Sequence, residues 1–445
     1  MKKFKNFSFL ILLIFFYNCS FDKKTSLWKK HNKNIIEKSQ SKSTQNIFKI
    51  NEEFNKEIQN NKQIYISKSF KNKNWPENNL LLNNSVPHLF YKGKKNQILK
   101  SKKIGKNIFS NLNVNSEPLI YNNNILFSDL AGNIYKYSLA SKKLTWKYNF
   151  YKKKYKNIPK KINMKISNNN LILSDNLGFF YKINLDTGDI VWAKSQGVPI
   201  TSDIKIFNQK VFLLNQDNKF YIFNQKNGNK IIDFETFPVI LKKNNKQTLS
   251  LDNKSNLYFV TSAGQLFSLN HENYRINWLK NIQDINTSDE FGLFSSSPII
   301  AEEKAVYISL TKLTLSIEPI VGKTNWEIPF GSKIRPIISK NNIFLVSESG
   351  FLLNANTKNG EIIWSKKIFN SEDINLKKMG KVTSLLLISN QLLMVTKKGY
   401  FIFLNYQNGD LIEYAKVAKG FYSKPVVANG NIYIIDKNKR VLAFN

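Results

Sequence analysis

Short apolar runs separated by turn residues recur from about residue 95 to the end of the chain. Asn170-Leu-Ile-Leu-Ser-Asp-Asn-Leu-Gly178-Phe-Phe-Tyr-Lys-Ile-Asn is followed by Asp186-Thr-Gly188-Asp-Ile-Val-Trp192. Asn342-Ile-Phe-Leu-Val-Ser-Glu-Ser-Gly350-Phe-Leu-Leu-Asn-Ala-Asn is followed by Lys358-Asn-Gly360-Glu-Ile-Ile-Trp364, and the segment from Asn124 to Trp146 reads the same way. In each unit a Pro or small residue precedes an apolar pair, as in Pro118-Leu-Ile, Pro298-Ile-Ile, Pro336-Ile-Ile and Pro425-Val-Val. A short apolar strand and a turn with Gly or Asn follow. A third strand then alternates with period two, as Ile134, Tyr135, Lys136 and Tyr137 do. An Asn-Gly or Thr-Gly turn, where Gly takes φ > 0 without steric cost, leads to a fourth strand carrying Trp. The pattern predicts a four-stranded antiparallel meander, repeated along the chain.

The Trp spacing sets the period: 46 residues from Trp146 to Trp192, 48 from Trp278 to Trp326 and 38 from Trp326 to Trp364. The 86 residues from Trp192 to Trp278 hold two units; the missing Trp leaves the turn and strand of Asn227-Gly228-Asn-Lys-Ile-Ile-Asp233 in place. Asn408-Gly409-Asp-Leu-Ile-Glu-Tyr414 marks a seventh unit. Four-stranded units of ~40–50 residues are propeller blades. An eighth unit, from Pro425 to Phe444, supplies only three strands, which by itself leaves an open edge. Gln97-Ile-Leu-Lys-Ser-Lys-Lys-Ile104 matches the fourth strand Glu361-Ile-Ile-Trp-Ser-Lys-Lys-Ile368. The expected fold is therefore all-β: an eight-bladed β-propeller of four-stranded antiparallel blades, closed by an N-terminal strand.

Ahead of the repeats the pattern changes. Lys2, Lys3 and Lys5 precede an apolar run over residues 7–17, which suits a signal-peptide core and is too short to span a bilayer. The run ends at Cys19, the one Cys of the chain. Residues 20 to about 75 are polar and rich in Lys, Asn and Ser, the composition of a tether. Within them Ile47, Ile50, Phe54 and Ile58, spaced 3–4–4, predict a short amphipathic helix. The expected organisation is a signal peptide over 1–18, a tether over 19–75 and a propeller over 76–445.

Composition narrows the chemistry. With 42% hydrophobic and 13% aromatic residues the chain has material for a large core. A single Cys excludes a disulfide framework, a Cys-based zinc site and an iron–sulfur site within one chain. His31, His88 and His271 are far apart in sequence, without metal-ligand spacing. The net charge of +36 has two readings. One is a negatively charged partner, nucleic acid or an anionic surface. The other is compositional drift, because the excess is nearly all Lys, accompanied by Asn and Ile and spread along the chain. A nucleic-acid reader concentrates Arg on one element, and no nucleic-acid partner is expected here.

Cys19 just after the apolar run resembles the lipobox of bacterial lipoproteins, although Asn18 and Phe16 depart from the usual residues. That resemblance implies lipidation of the Cys19 thiol, and Ser20 in place of Asp implies an outer-membrane destination. Three acyl chains anchor stably where one does not. The Trp-bearing fourth strand with its Gly turn resembles the tryptophan-docking repeat of pyrroloquinoline-quinone-type propellers, in which Trp packs between blades. Two branches of that superfamily are relevant. Quinoprotein dehydrogenases imply a cofactor clamp, often a vicinal Cys pair, and clustered carboxylates for Ca²⁺ and base catalysis; neither stands out in this sequence. The chain is similar throughout to the other branch, the β-barrel assembly machinery lipoprotein B family (YfgL type). Asn74-Trp75-Pro76, His88-Leu89 and the closing segment from Phe421 to Gly430 carry that likeness.

The resemblance implies a non-catalytic, cofactor-free scaffold held on the periplasmic face of the outer membrane by its lipid anchor. The partners implied are the periplasmic polypeptide-transport domains of the barrel-insertion outer-membrane protein, and unfolded outer-membrane clients. Loops between middle blades make the family's contacts, which here fall at about 233–247 and 281–297. The first contains Val239, Leu241 and Lys242, similar to a Leu-x-Leu-Arg contact segment; the second contains Asp289 and Glu290. Ordinary strand packing for Leu241, and a solvated loop for the two acids, are the structural alternatives. A degenerate quinoprotein dehydrogenase and a periplasmic anionic-ligand-binding propeller remain the alternative functions.

Overall fold

Every hairpin of the repeat closes with residues suited to it, and the computed structural model, which describes residues 54–106, 116–236, 247–283 and 294–445, folds accordingly. Among the described residues the strands form eight four-stranded antiparallel sheets. Seven blades are consecutive in the chain, at 119–149, 162–195, 205–234, 249–281, 300–328, 337–367 and 382–416. The first hairpins use left-handed residues at Asn122-Asn123 (φ 46 and 56°), Asn168-Asn169 (46 and 56°) and Asn208-Gln209 (46 and 60°). Asn tolerates that region better than other side chains, so the Asn-rich composition has a structural use. Between the second and third strands an acceptor side chain caps the turn. Asp175 accepts from the backbone of Leu177 (2.8 Å) and Phe179 (2.9 Å), and Asp436 from that of Asn438 and Arg440 (both 2.9 Å).

The eighth blade joins the two ends of the propeller as expected. Gln97–Lys100 pairs antiparallel with Val441–Phe444, opposing Gln97 to Phe444 and Lys100 to Leu442. Adjacent blades are sealed by Trp. Trp146, Trp192, Trp278 and Trp326 each donate Nε1–H to a carbonyl of the next blade, on Leu185, Lys226, Pro319 and Thr357, at 2.8–3.0 Å. The next blade's turn Gly lies under the indole. A Cβ on Gly188, Gly228, Gly322, Gly360 or Gly409 would stand 2.7–3.0 Å from the preceding Trp ring. These turns need Gly twice over, for φ near +75° and for space. Where blade three lacks Trp, blade four carries Tyr274 at φ 62° instead of Gly, and Tyr274 joins the core cluster containing Ile232. The missing Trp is thus replaced from the opposite side of the seam.

The N-terminal expectations need correction. Phe54 and Ile58 are extended, not helical: Ile58 and Ser365 exchange backbone hydrogen bonds of 3.1 and 3.0 Å along the outer edge of blade six. Phe54 packs edge-on to Phe351. An open strand edge offers backbone partners that a lone helical turn cannot match, and covering it satisfies both segments. Ile47 and Ile50 lie outside the described residues. Among the described residues, contacts with the ring begin at Phe54, whose backbone N–H donates to the Pro329 carbonyl (2.6 Å).

Candidate functional site

First strands of neighbouring blades contact one another around the axis, and their inner edges face a bore. Residues 64–92 run through that bore. Trp75 exchanges backbone hydrogen bonds with Ile120 of blade one (2.6 and 2.9 Å), and Ile166 of blade two donates to the Pro76 carbonyl (2.8 Å). Leu251 of blade four donates to Leu82 (3.1 Å), Ala301 of blade five to Asn83 (3.0 Å) and Asn429 of blade eight to Asn72 (2.9 Å). Further along the segment, Leu89 donates to Leu387 of blade seven (2.9 Å). The two ends of the segment meet side by side in parallel, Phe70 donating to His88 O (2.7 Å) and Phe90 to Phe70 O (2.9 Å). Blades three and six are engaged through charge. The segment thereby ties together all eight inner strands.

That charge is a buried network. The Glu77 carboxylate, 3% exposed, lies 2.5 Å from Lys165 Nζ and 3.0 Å from Lys205 Nζ, and Lys205 is fully buried. Lys205 Nζ also donates to Asn84 Oδ1 (2.7 Å) and the Leu81 carbonyl (3.1 Å). Beside it Glu117 accepts from Trp75 Nε1 (2.8 Å), the Asn79 N–H (2.6 Å) and Arg335 (3.2 Å). Asn78 donates to Asp203 (2.8 Å). Burial pulls Lys165 below the ordinary lysine range, opposed by Glu77; Arg335 is lowered for the same reason, opposed by Glu117. Charges this deep persist only where their partners are in place.

At one end of the bore the apex of the segment, Asn78 and Asn79, forms the floor of an open cavity of about 460 Å³. Its walls are the residues leading into the first strands, such as Glu117, Asn163, Thr201 and Thr248, and Lys161, Lys333, Lys381, Lys397 and Lys424 stand around it. The lining is polar and cation-rich. Among the described residues, no three His, Cys, Asp or Glu side chains come together as a metal set.

Cys19, Val239, Leu241, Lys242, Asp289 and Glu290 lie outside the described residues. The segments carrying the last five connect blade three to four and blade four to five. Their described flanks, Gln247, Thr248, Ser296 and Pro298, line the cavity, so these connections leave from the face on which it opens. Glu77, Glu117, Lys165, Lys205 and Arg335 did not emerge from the sequence as a site. One signal was available: Arg335 is one of only three Arg in a chain with 67 basic residues. Where Lys is the default, a retained Arg marks a position needing its planar, multi-donor head group.

Comparison with solved structures places the ring among known propellers. BamB from Moraxella catarrhalis superposes with a TM-score of 0.63 at 14% identity, over 79% of this chain and 99% of that one. Quinohemoprotein alcohol dehydrogenase from Comamonas testosteroni gives 0.64 at 9% identity, over 84% and 80%. A europium-containing methanol dehydrogenase gives 0.60 at 10% identity, over 83% and 89%. At these identities the likeness is one of fold. No curated protein matches the sequence. The family model described as outer membrane protein assembly factor BamB matches residues 130–366 and 348–445. Because these two overlapping matches together cover well over half of the chain, the chain belongs to the outer membrane protein assembly factor BamB family.

Proposed function

We propose that the protein is a non-catalytic scaffold of outer-membrane β-barrel assembly, anchored through Cys19 to the periplasmic face of the outer membrane. The observation that carries this reading beyond family membership is the filled bore. Residues 75–91 occupy the bore behind the open cavity, and the polar groups of Glu77 and Asn79 are already engaged with Lys165, Lys205 and Arg335. The dehydrogenase alternative has less support: the single Cys allows no vicinal Cys pair, and among the described residues no three His, Cys, Asp or Glu side chains come together to hold a cation. What remains is a rigid ring that offers surfaces. Its fourth strands are outer edges, and residues 57–58 on blade six demonstrate that such an edge accepts an extended segment. Client strands of unfolded barrel proteins suit the same mode of pairing.

The partner surface is assigned to the connections after blades three and four. Val239, Leu241 and Lys242 supply an apolar anchor and a cation; Asp289 and Glu290 supply the acidic side. Interfaces draw most of their energy from a few such anchors. Leu241→Ala combined with Lys242→Ala is expected to weaken binding to the insertion protein's periplasmic domains by ~5- to 150-fold, about 1–3 kcal/mol, with the melting temperature unchanged. Titration calorimetry reads both partners directly. Full-strength binding by the double variant would move the interface elsewhere on the ring.

The anchor has its own test. Cys19→Ala should abolish incorporation of labelled palmitate and release the protein from the membrane fraction. Undiminished labelling in the variant would exclude Cys19 as the lipid attachment site.

A further inference from the structure

Four lysines stand together on the connection from blade one to blade two, residues 150–161. In each antiparallel meander the first and third turns lie on one face of the ring, and the middle turn and the connection to the next blade lie on the other. Lys161 lines the axial cavity, so this connection belongs to the cavity face. Lys152, Lys153, Lys154 and Lys156 are exposed, and Ile158 beside them is 42% exposed. From 130 to 174 the chain holds no Asp or Glu, and the two acids bounding that stretch are engaged elsewhere. Asp129 accepts from the Tyr135 hydroxyl (2.7 Å) and the Lys106 N–H (2.9 Å), and Asp175 from the Tyr151 hydroxyl (2.5 Å) and two backbone N–H groups of its own turn. Other connections on this face differ: 196–204 has no Lys or Arg, 329–336 and 417–425 have two basic residues each, and 368–381 sets three lysines against Glu372 and Asp373. The connection is also fixed from beneath. Phe150 stacks on Tyr181 with ring centroids 4.6 Å apart, Tyr155 meets Phe179 edge-on at 5.6 Å, and the Lys160 N–H donates to Leu130 O (2.9 Å). Lys160 itself is buried and donates to the Tyr155 carbonyl. Its aromatic residues hold the loop to the ring, and the four ammonium groups are left on the outside.

We propose that this connection docks the cavity face on an anionic phospholipid surface, Lys152, Lys153, Lys154 and Lys156 meeting the headgroups and Ile158 entering the headgroup layer. Clustered lysines beside a bilayer are drawn to anionic lipid individually and additively. Their ammonium groups are point charges on flexible stems, which suit a diffuse negative surface, whereas a planar, paired contact calls for Arg. An exposed Ile among them gains burial that it lacks in water. The place of the chain's entry agrees. Phe54, where the described residues begin, donates to the Pro329 carbonyl just after the last strand of blade five, so the chain runs back toward Cys19 from the cavity face. Acyl chains hold a protein near a membrane without choosing which face meets it; the lysines make that choice. The proposal rests on the anchored reading only for the membrane that is met.

Lysine acylation read by mass spectrometry tests the docking on the full chain, bound to vesicles of phosphatidylcholine with phosphatidylglycerol or of phosphatidylcholine alone. On the anionic vesicles labelling of Lys152, Lys153, Lys154 and Lys156 should fall about tenfold, and ~0.5 M salt should restore it. Lys142, Lys143, Lys304 and Lys358, exposed on the opposite face, should label equally on both. Substitution gives a second readout. In a Cys19→Ala chain, replacing the four cavity-face lysines by Gln should lower the preference for anionic over neutral vesicles about tenfold, and replacing the four opposite-face lysines by Gln should leave it unchanged. Equal protection on both faces, or equal losses from the two sets, overturns the proposal, because the net charge of +36 would then act without a preferred face. Unchanged labelling of the four on anionic vesicles overturns it as well. If they are shielded by the insertion protein's periplasmic domains and not by lipid, the patch is a protein interface and the proposal falls. Palmitate labelling separates the two readings: its absence removes the anchor and leaves the docking result standing.

Discussion

Replacing Glu77 by alanine is expected to lower the stability of the ring by about 3–5 kcal/mol, the range for removing one partner of a buried ion pair. The change strands two ammonium groups, Lys165 and Lys205, inside the bore, with Lys205 fully buried. Lys205 keeps neutral acceptors in Asn84 and the Leu81 carbonyl, but neither supplies negative charge. The damage reaches beyond one contact, because Glu77 is where the axial segment is pinned to blades two and three. Urea denaturation gives the loss. A companion variant separates charge from packing: Glu77→Leu with Lys165→Met and Lys205→Met should recover much of it, since replacing a whole buried ionic group by apolar residues is often neutral. A loss below ~1 kcal/mol for Glu77→Ala, the scale of exposed pairs, would mean that the network is solvated and the bore open.

The second large effect is expected at the seam between blades six and seven. Trp364→Ala should cost about 3–5 kcal/mol, as deletion of a fully enclosed indole does. Trp364 is 0% exposed, packs in the core cluster that includes Leu392, Ile402 and Leu404, and lies over Gly409. Its Nε1 finds no hydrogen-bond partner, so this Trp stabilises by packing alone. Trp192, half-buried at an otherwise similar seam, should cost less on truncation, ~1–3 kcal/mol. Gly409→Ala approaches the same seam from the other blade: at φ +73° with a Cβ 2.7 Å from the indole, it should reproduce part of the Trp364 loss. Equal losses for Trp364→Ala and Trp192→Ala in thermal unfolding would show that burial at the seam does not set the effect.

The ring and the segment inside it differ in how much of them is legible in the sequence. The eight blades, their four-strand order and the closing strand were legible because the chain repeats itself. Each copy of the turn, apolar pair and Trp strand confirms the others, and the terminal strand could be matched to an internal one. Even the missing Trp of the third unit did not hide the period, since its turn remained. Residues 54–92 offered no such internal standard. Asn74, Trp75, Pro76, His88 and Leu89 carried a family likeness, yet nothing local announced that they fill the bore.

The sequence by itself therefore determined the local hairpins, their register and the number of blades, because turn chemistry and period-two alternation act between residues close in the chain. The tertiary structure decided where the non-repeating segment goes, and with it the pairing of Glu77 with lysines 88 and 128 residues away and the grip of Asn390 on His88 across 302 residues. Those contacts exist because closing the ring turns eight inner strand edges toward one axis. Unsatisfied backbone and buried lysines there need a partner, and a polar, extended segment of the same chain supplies it. The segment's own residues look like solvated linker until the ring around them is known.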